Sequence, residues 1–152
     1  MSSNFFAMVN RMKFIDIWAL MNNATKENIA EHSHCVAIIA HALALIGNKK
    51  FGKNYNVERA ALLALYHDTT EVITGDMPTP VKYYNDDIKN VYKDIEHTAG
   101  LRLLDMLPDE FKNDYTPFFE KQEEDIELWK LVKAADKISA LIKCIEENRM
   151  GN

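Results

Sequence analysis

Apolar residues recur three and four positions apart along nearly all of this 152-residue chain, and no run alternates as a strand would. That period leaves an all-α fold, with helices crossing around one core in a single domain over residues 1–152. Ser3 is placed to cap a first helix reaching about Asp16, with Phe6, Val9, Met12 and Phe14 inward. A second helix is expected from about Lys26 to Ile46, closed by Gly47. Asn56 should cap a third, "VERAALLALYHDTTEVIT", that continues to Gly75. The prolines of "DMPTP" argue for an ordered loop. A fourth helix is expected from Asp86 to Met106, then short helices with Pro117 in a turn, then a last helix from about Glu124 to Asn148.

Composition enters mainly by exclusion. At 47% hydrophobic and 27% charged residues the chain is globular rather than disordered. Its net charge of −5 gives no basis for binding a nucleic-acid polymer or an anionic membrane. The longest nearly uncharged run, "HCVAIIAHALALIG", is too short to span a bilayer, and the N-terminus lacks the order of a signal peptide. Cys35 and Cys144 lie in apolar helical patterns and read as reduced, buried thiols. A cytoplasmic protein is expected.

Several polar residues sit where an apolar stripe should continue. His32 has Ile29, Val36, Ile39, Ala40 and Leu43 at helical offsets, so its ring faces inward. His67 shares a face with Ala60, Leu63 and Ala64, and Glu71 and Thr74 continue that face. Asp136 lies on the shoulder of a stripe formed by Leu131, Val132, Ala135, Ser139 and Ile142, on a helix that otherwise keeps its charges outward. One inward histidine is usually a hydrogen-bonded core residue. Inward histidines and carboxylates on three helices, with His67 directly followed by Asp68, instead suit a divalent transition metal. His34 faces another side of its helix, His41 reads as a core or interface residue and His97 as solvated. Tyr83, Tyr84, Tyr92 and Trp129 read as packing or a subunit contact.

The ordered set "EHS" at 31–33, "HD" at 67–68, Glu71 and Asp136 in "KAADKISA" resembles the HD-domain phosphohydrolases. With "NRMKFIDIWALM", "ERAALLALYHD" and "EVITGDMPTPVKYYN", the chain is most similar to their bacterial 5′-deoxynucleotidases, from about Phe5 to Glu147. The resemblance implies an HD-domain helical bundle with one divalent metal (Co, Mn, Zn, Fe or Ni) on His32, His67, Asp68 and Asp136. It implies proton handling by Glu71, beside Asp76, and a nucleoside site made by Trp18, Asp68, Asp76, Met77, Pro78 and Thr79. The substrate implied is a small deoxynucleotide, handled by a homodimer or larger homo-oligomer.

Two departures stand out. That family carries an arginine before the tryptophan to orient phosphate, where this chain has Ile17; Arg11, Lys13, Arg59 and Lys82 are the cations open as substitutes. The sequence also stops at Asn152, where the family usually carries further helix. Phosphate release from deoxynucleoside monophosphates is the leading reading, and a deoxynucleoside triphosphate triphosphohydrolase is the close alternative. A non-catalytic nucleotide-binding module has no need of Glu71, and a purely structural bundle has no need of inward charge at three places.

Overall fold

The computed structural model describes residues 4–152 and builds them from helices with one isolated antiparallel bridge, Asp16 to Asn28. The elements are α1 (Phe5–Val9), α2 (Ile29–Phe51), α3 (Val57–Tyr66), α4 (Glu71–Thr74), α5 (Thr79–Lys82), α6 (Asp86–Asp105), α7 (Asp109–Phe119) and α8 (Ile126–Arg149). Tight 3-10 turns follow α1 at Asn10–Phe14 and precede α8 at Glu123–Asp125.

The centre is a three-helix packing of α2, α3 and α8. Val36, Ala40, Ala44, Ala60, Leu63, Ala64, Leu128, Val132 and Ala135 meet there, and the many alanines let the backbones approach closely. α3 and α8 run in the same direction: Arg59 meets Asp125 near their starts, and His67 approaches Asp136 further along. α2 runs against both. The start of α2, the end of α3 and the middle of α8 therefore come together.

α2 starts at a capping box. The Asn28 side chain accepts from the Ala30 and Glu31 amides, and Glu31 returns a bond to the Asn28 amide, each at 3.0 Å. The helix does not stop at Gly47. It runs on to Gly52, whose φ of 63° ends it in a left-handed cap. Gly47 is needed for space instead: a Cβ there would lie 2.7 Å from the Tyr55 ring. At 23 residues α2 is long and apolar enough to cross a bilayer, against the expectation from sequence. Its buried side chains nonetheless pack on α3 and α8.

The other departures have physical causes. The expected Ser3 cap lies outside the described residues. The first helix tightens at Asn10 and ends at Phe14, leaving Phe6 and Phe14 exposed. Phe5 is buried instead, edge-on to Tyr115 and Phe119. α7 carries Pro117 inside it rather than in a turn; Phe118 stacks on Tyr66 at 4.5 Å, packing that opposes the helix-breaking cost of proline. Pro80 falls in the first turn of α5, where a missing N–H costs nothing, so the "DMPTP" loop ends in one helical turn. Both cysteines are exposed, contrary to expectation, and so is Ile142.

Candidate metal and catalytic site

The expected third helix breaks after Tyr66, and the break makes the site. Adjacent residues on an α-helix point about 100° apart, so a regular helix could not aim both His67 and Asp68 at one centre. Here the chain tightens into three-residue turns, with Thr69 N–H donating to Tyr66 O and Glu71 N–H to Asp68 O. His67 Nε2 then lies 3.1 Å from Asp68 Oδ2.

From α2, His32 Nε2 comes within 3.7 Å of Asp68 Oδ2 and 3.0 Å of Asp136 Oδ1. Asp136 Oδ1, from the middle of α8, is 4.0 Å from His67 Nε2. Ligand atoms of His32, His67 and Asp68 all lie within 4.8 Å of one another. Three of the four residues read from sequence thus form one tight cluster, and Asp136 approaches it from the side of the two histidines.

The surroundings orient these groups as metal ligands are oriented. The Ala64 carbonyl can only accept, so His67 Nδ1 is the donor at 2.6 Å, and Nε2 is turned inward. His67 Nε2 is a buried polar atom with no hydrogen-bond partner. Glu27 Oε1 faces His32 Nδ1 from 3.6 Å, too far for a hydrogen bond, and that nitrogen is also buried without a partner. Two imidazoles and two carboxylates, with one buried nitrogen of each imidazole unsatisfied, fit a divalent transition ion.

Charge follows the same plan. Burial lowers the His32 pKa, but Asp136, Glu27 and Asp68 outweigh it and push the value up to about 10. Burial likewise opposes protonation of His67, and Asp68 overrides it. Burial also works against the Asp68 carboxylate, yet His67 and His32 hold its pKa below the usual range. These histidines sit in a strongly negative field, the environment a cation would neutralise.

Glu71 begins α4 and is 9% exposed. Burial, then the charges of Asp68 and Asp76, push its carboxyl up to about 9. Asp76 Oδ2 accepts the Trp18 amide at 2.8 Å. Trp18 has a φ of 53°, a strained conformation for a bulky residue. Asn23 holds its carbonyl and the Lys143 ammonium lies 5.5 Å above its ring. Trp18 and Asp76 are therefore joined directly. Met77 and Pro78 are half-buried between Asp76 and α5, and Thr79 opens α5 exposed.

Sequence reading missed three groups. Glu27 precedes the α2 cap, where no helical offset applies. Lys143 and Glu147 were taken as outward charges, yet they are 5% and 8% exposed. Glu147 accepts from Lys143 and from the Ala24 and Thr25 amides, while Lys143 donates to Thr25 O. Their spacing from Asp136 puts all three on one helix face, but no local signal shows what covers the last turns of that face.

Comparison with known proteins gives a consistent answer. The family model described as 5′-deoxynucleotidase YfbR-like matches residues 4–152. A 5′-deoxynucleotidase of Vibrio vulnificus is 55% identical over 150 residues, covering 99% of this chain and 77% of the relative. One from Escherichia coli is 51% identical over 150 residues, covering 99% and 75%. A crystal structure of an HD-domain phosphohydrolase from Listeria innocua superposes with a TM-score of 0.86 at 23% identity, over 98% of this chain and 71% of that one. The fold is thus the HD-domain bundle, and the chain belongs to the YfbR-like 5′-deoxynucleotidase family.

Proposed function

We propose that this protein is a metal-dependent phosphohydrolase that releases phosphate from deoxynucleoside 5′-monophosphates. The observation that carries the reading is the cluster of His32, His67 and Asp68, with Asp136 against both histidines, beside a buried Glu71. Its relatives at 51–55% identity bear the name 5′-deoxynucleotidase, which favours the monophosphate over the triphosphate.

Those four residues would hold one ion of Co, Mn, Zn, Fe or Ni, which when bound supplies Lewis acidity toward the phosphoryl group. Glu71 exchanges a proton with the attacking water or the leaving 5′-oxygen, from a buried position one turn past the cluster. Trp18 offers a flat apolar wall to the nucleoside. Asp76, with one oxygen on the Trp18 amide, has its other oxygen to accept a sugar hydroxyl. Met77, Pro78 and Thr79 complete that side. The reading places the protein among cytoplasmic nucleotide enzymes.

The experiment is a panel of 2′-deoxy- and ribonucleoside mono- and triphosphates, run with each of the five metals. Inorganic phosphate should appear from the 5′-deoxymonophosphates, with ribonucleotides much poorer. Release of intact triphosphate, or equal turnover of ribose and deoxyribose, overturns the assignment.

A further inference from the structure

A phosphate monoester brings close to two negative charges into a site already lined by Asp68, Asp136, Glu71 and Asp76. Something besides an ion on the cluster has to receive them. Ile17 is buried against Met12 and Ile29 and offers no charge. Arg59 is committed to Asp125, in a two-pronged contact at 2.5 and 2.7 Å at the other end of α3. Lys143 is spent on Glu147 and Thr25 O, and Lys26 pairs with Asp16. Arg11 and Lys13 are exposed on the turn after α1.

Lys82 is placed differently. It ends α5, after two prolines, and its amide bonds back to Pro78 O at 3.0 Å. Its ammonium donates to Glu96 Oε1 at 2.7 Å and sits 4.6 Å above the Tyr92 ring. The buried Tyr92 hydroxyl reaches Thr74 Oγ1 at 3.5 Å, and Thr74 closes the short helix that Glu71 opens. Glu71, Thr74, Tyr92 and Lys82 therefore form one contiguous wall. The side chain of Lys82 is partly open to solvent, and Glu96 uses only one of its three donors.

We infer that Lys82 is the substrate-binding cation that receives the phosphate, held over the Tyr92 ring by Glu96. Its two remaining donors face the anion, while Glu96 and Tyr92 fix where the ammonium stands. The inference rests on the deoxynucleotidase reading and names the phosphate contact of that same site.

The test uses metal-loaded protein with Lys82→Met and Lys82→Arg variants. Inorganic phosphate and an unphosphorylated 2′-deoxynucleoside are titrated separately by calorimetry, beside monophosphate kinetics. Loss of one charge-assisted contact should weaken phosphate binding and raise the monophosphate KM roughly 10–100-fold in Lys82→Met. Deoxynucleoside affinity should stay within about twofold, and Lys82→Arg should recover most of the phosphate affinity, since it keeps the charge and donors. Equal phosphate affinity in Lys82→Met and the unmodified protein overturns the inference while leaving the enzyme reading intact. Phosphate and deoxynucleoside affinity falling together also overturns it, because that marks a collapsed wall. If the unmodified protein turns over no deoxynucleotide, the enzyme reading fails alone, and a selective phosphate loss in Lys82→Met still supports the contact.

Discussion

Glu71 has a geometric claim to the chemistry without being one of the converging ligands. Replacing it with glutamine keeps its volume and removes the proton exchange. Glu71→Gln should cut turnover by roughly 10²–10⁴-fold, while elemental analysis still finds one metal per chain. Unchanged turnover would remove Glu71 from the mechanism, and lost metal would make it a ligand. His32 and Asp136 were legible in the sequence because each interrupts an apolar stripe, whereas the offset that turned Glu71 inward assumed a helix that in fact breaks after Tyr66. The role of Asp76 was only half legible. Its bond to the Trp18 amide joins residues 58 positions apart, a tertiary contact no periodicity announces.

Among the elements, α8 does two jobs, and only one was readable. Asp136 stood out as a candidate site residue, but Lys143 and Glu147 were assigned to solvent because nothing local shows that residues 22–25 fold over the last turns of α8. Glu147 accepts from Ala24, Thr25, Lys143 and Asn152, and these bonds hold its pKa at about 2 against an ordinary 4.5. A depressed carboxylate pKa contributes stability that is fully present above pH 4.5 and lost as pH falls toward 2. Glu147→Gln should therefore melt earlier at neutral pH, with the gap to the unmodified protein closing between about pH 4.5 and 2. Calorimetric Tm values across that range check it; a constant gap would mean that the charge contributes nothing. The helix ends misread at Gly47 and Pro117 share one lesson. Local stop signals lose when packing rewards continuation, as the Phe118 stack on Tyr66 does.

Across the whole molecule, stability and chemistry sit at opposite ends of α3. Arg59 and Asp125 tie the starts of α3 and α8 together, about 12 Å along the helix from His67. Asp125 is 1% exposed while Arg59 is partly open, so removing the carboxylate should cost somewhat less than a fully buried pair, about 2–3 kcal/mol. Asp125→Asn should lower Tm by roughly 5–10 °C and leave kcat/KM at 20 °C within about twofold. A large loss of activity well below the melting point would show that the two ends are coupled. The all-α class was readable from periodicity alone, and the direction in which the helices run was not, since it depends on pairs such as Arg59 with Asp125.

The break after Tyr66 has a consequence for anyone improving this protein. Thr69 and Thr70 are poor helix formers, and a helix-minded redesign would replace them with alanine or leucine. Those changes favour one continuous rod from Val57 to Thr74. In such a rod Ala64 O would serve the Asp68 amide instead of the His67 ring, and His67 and Asp68 would swing apart. Selection for heat resistance alone would thus reward variants that can no longer hold a metal, and a thermostability campaign has to be scored on metal content from its first round.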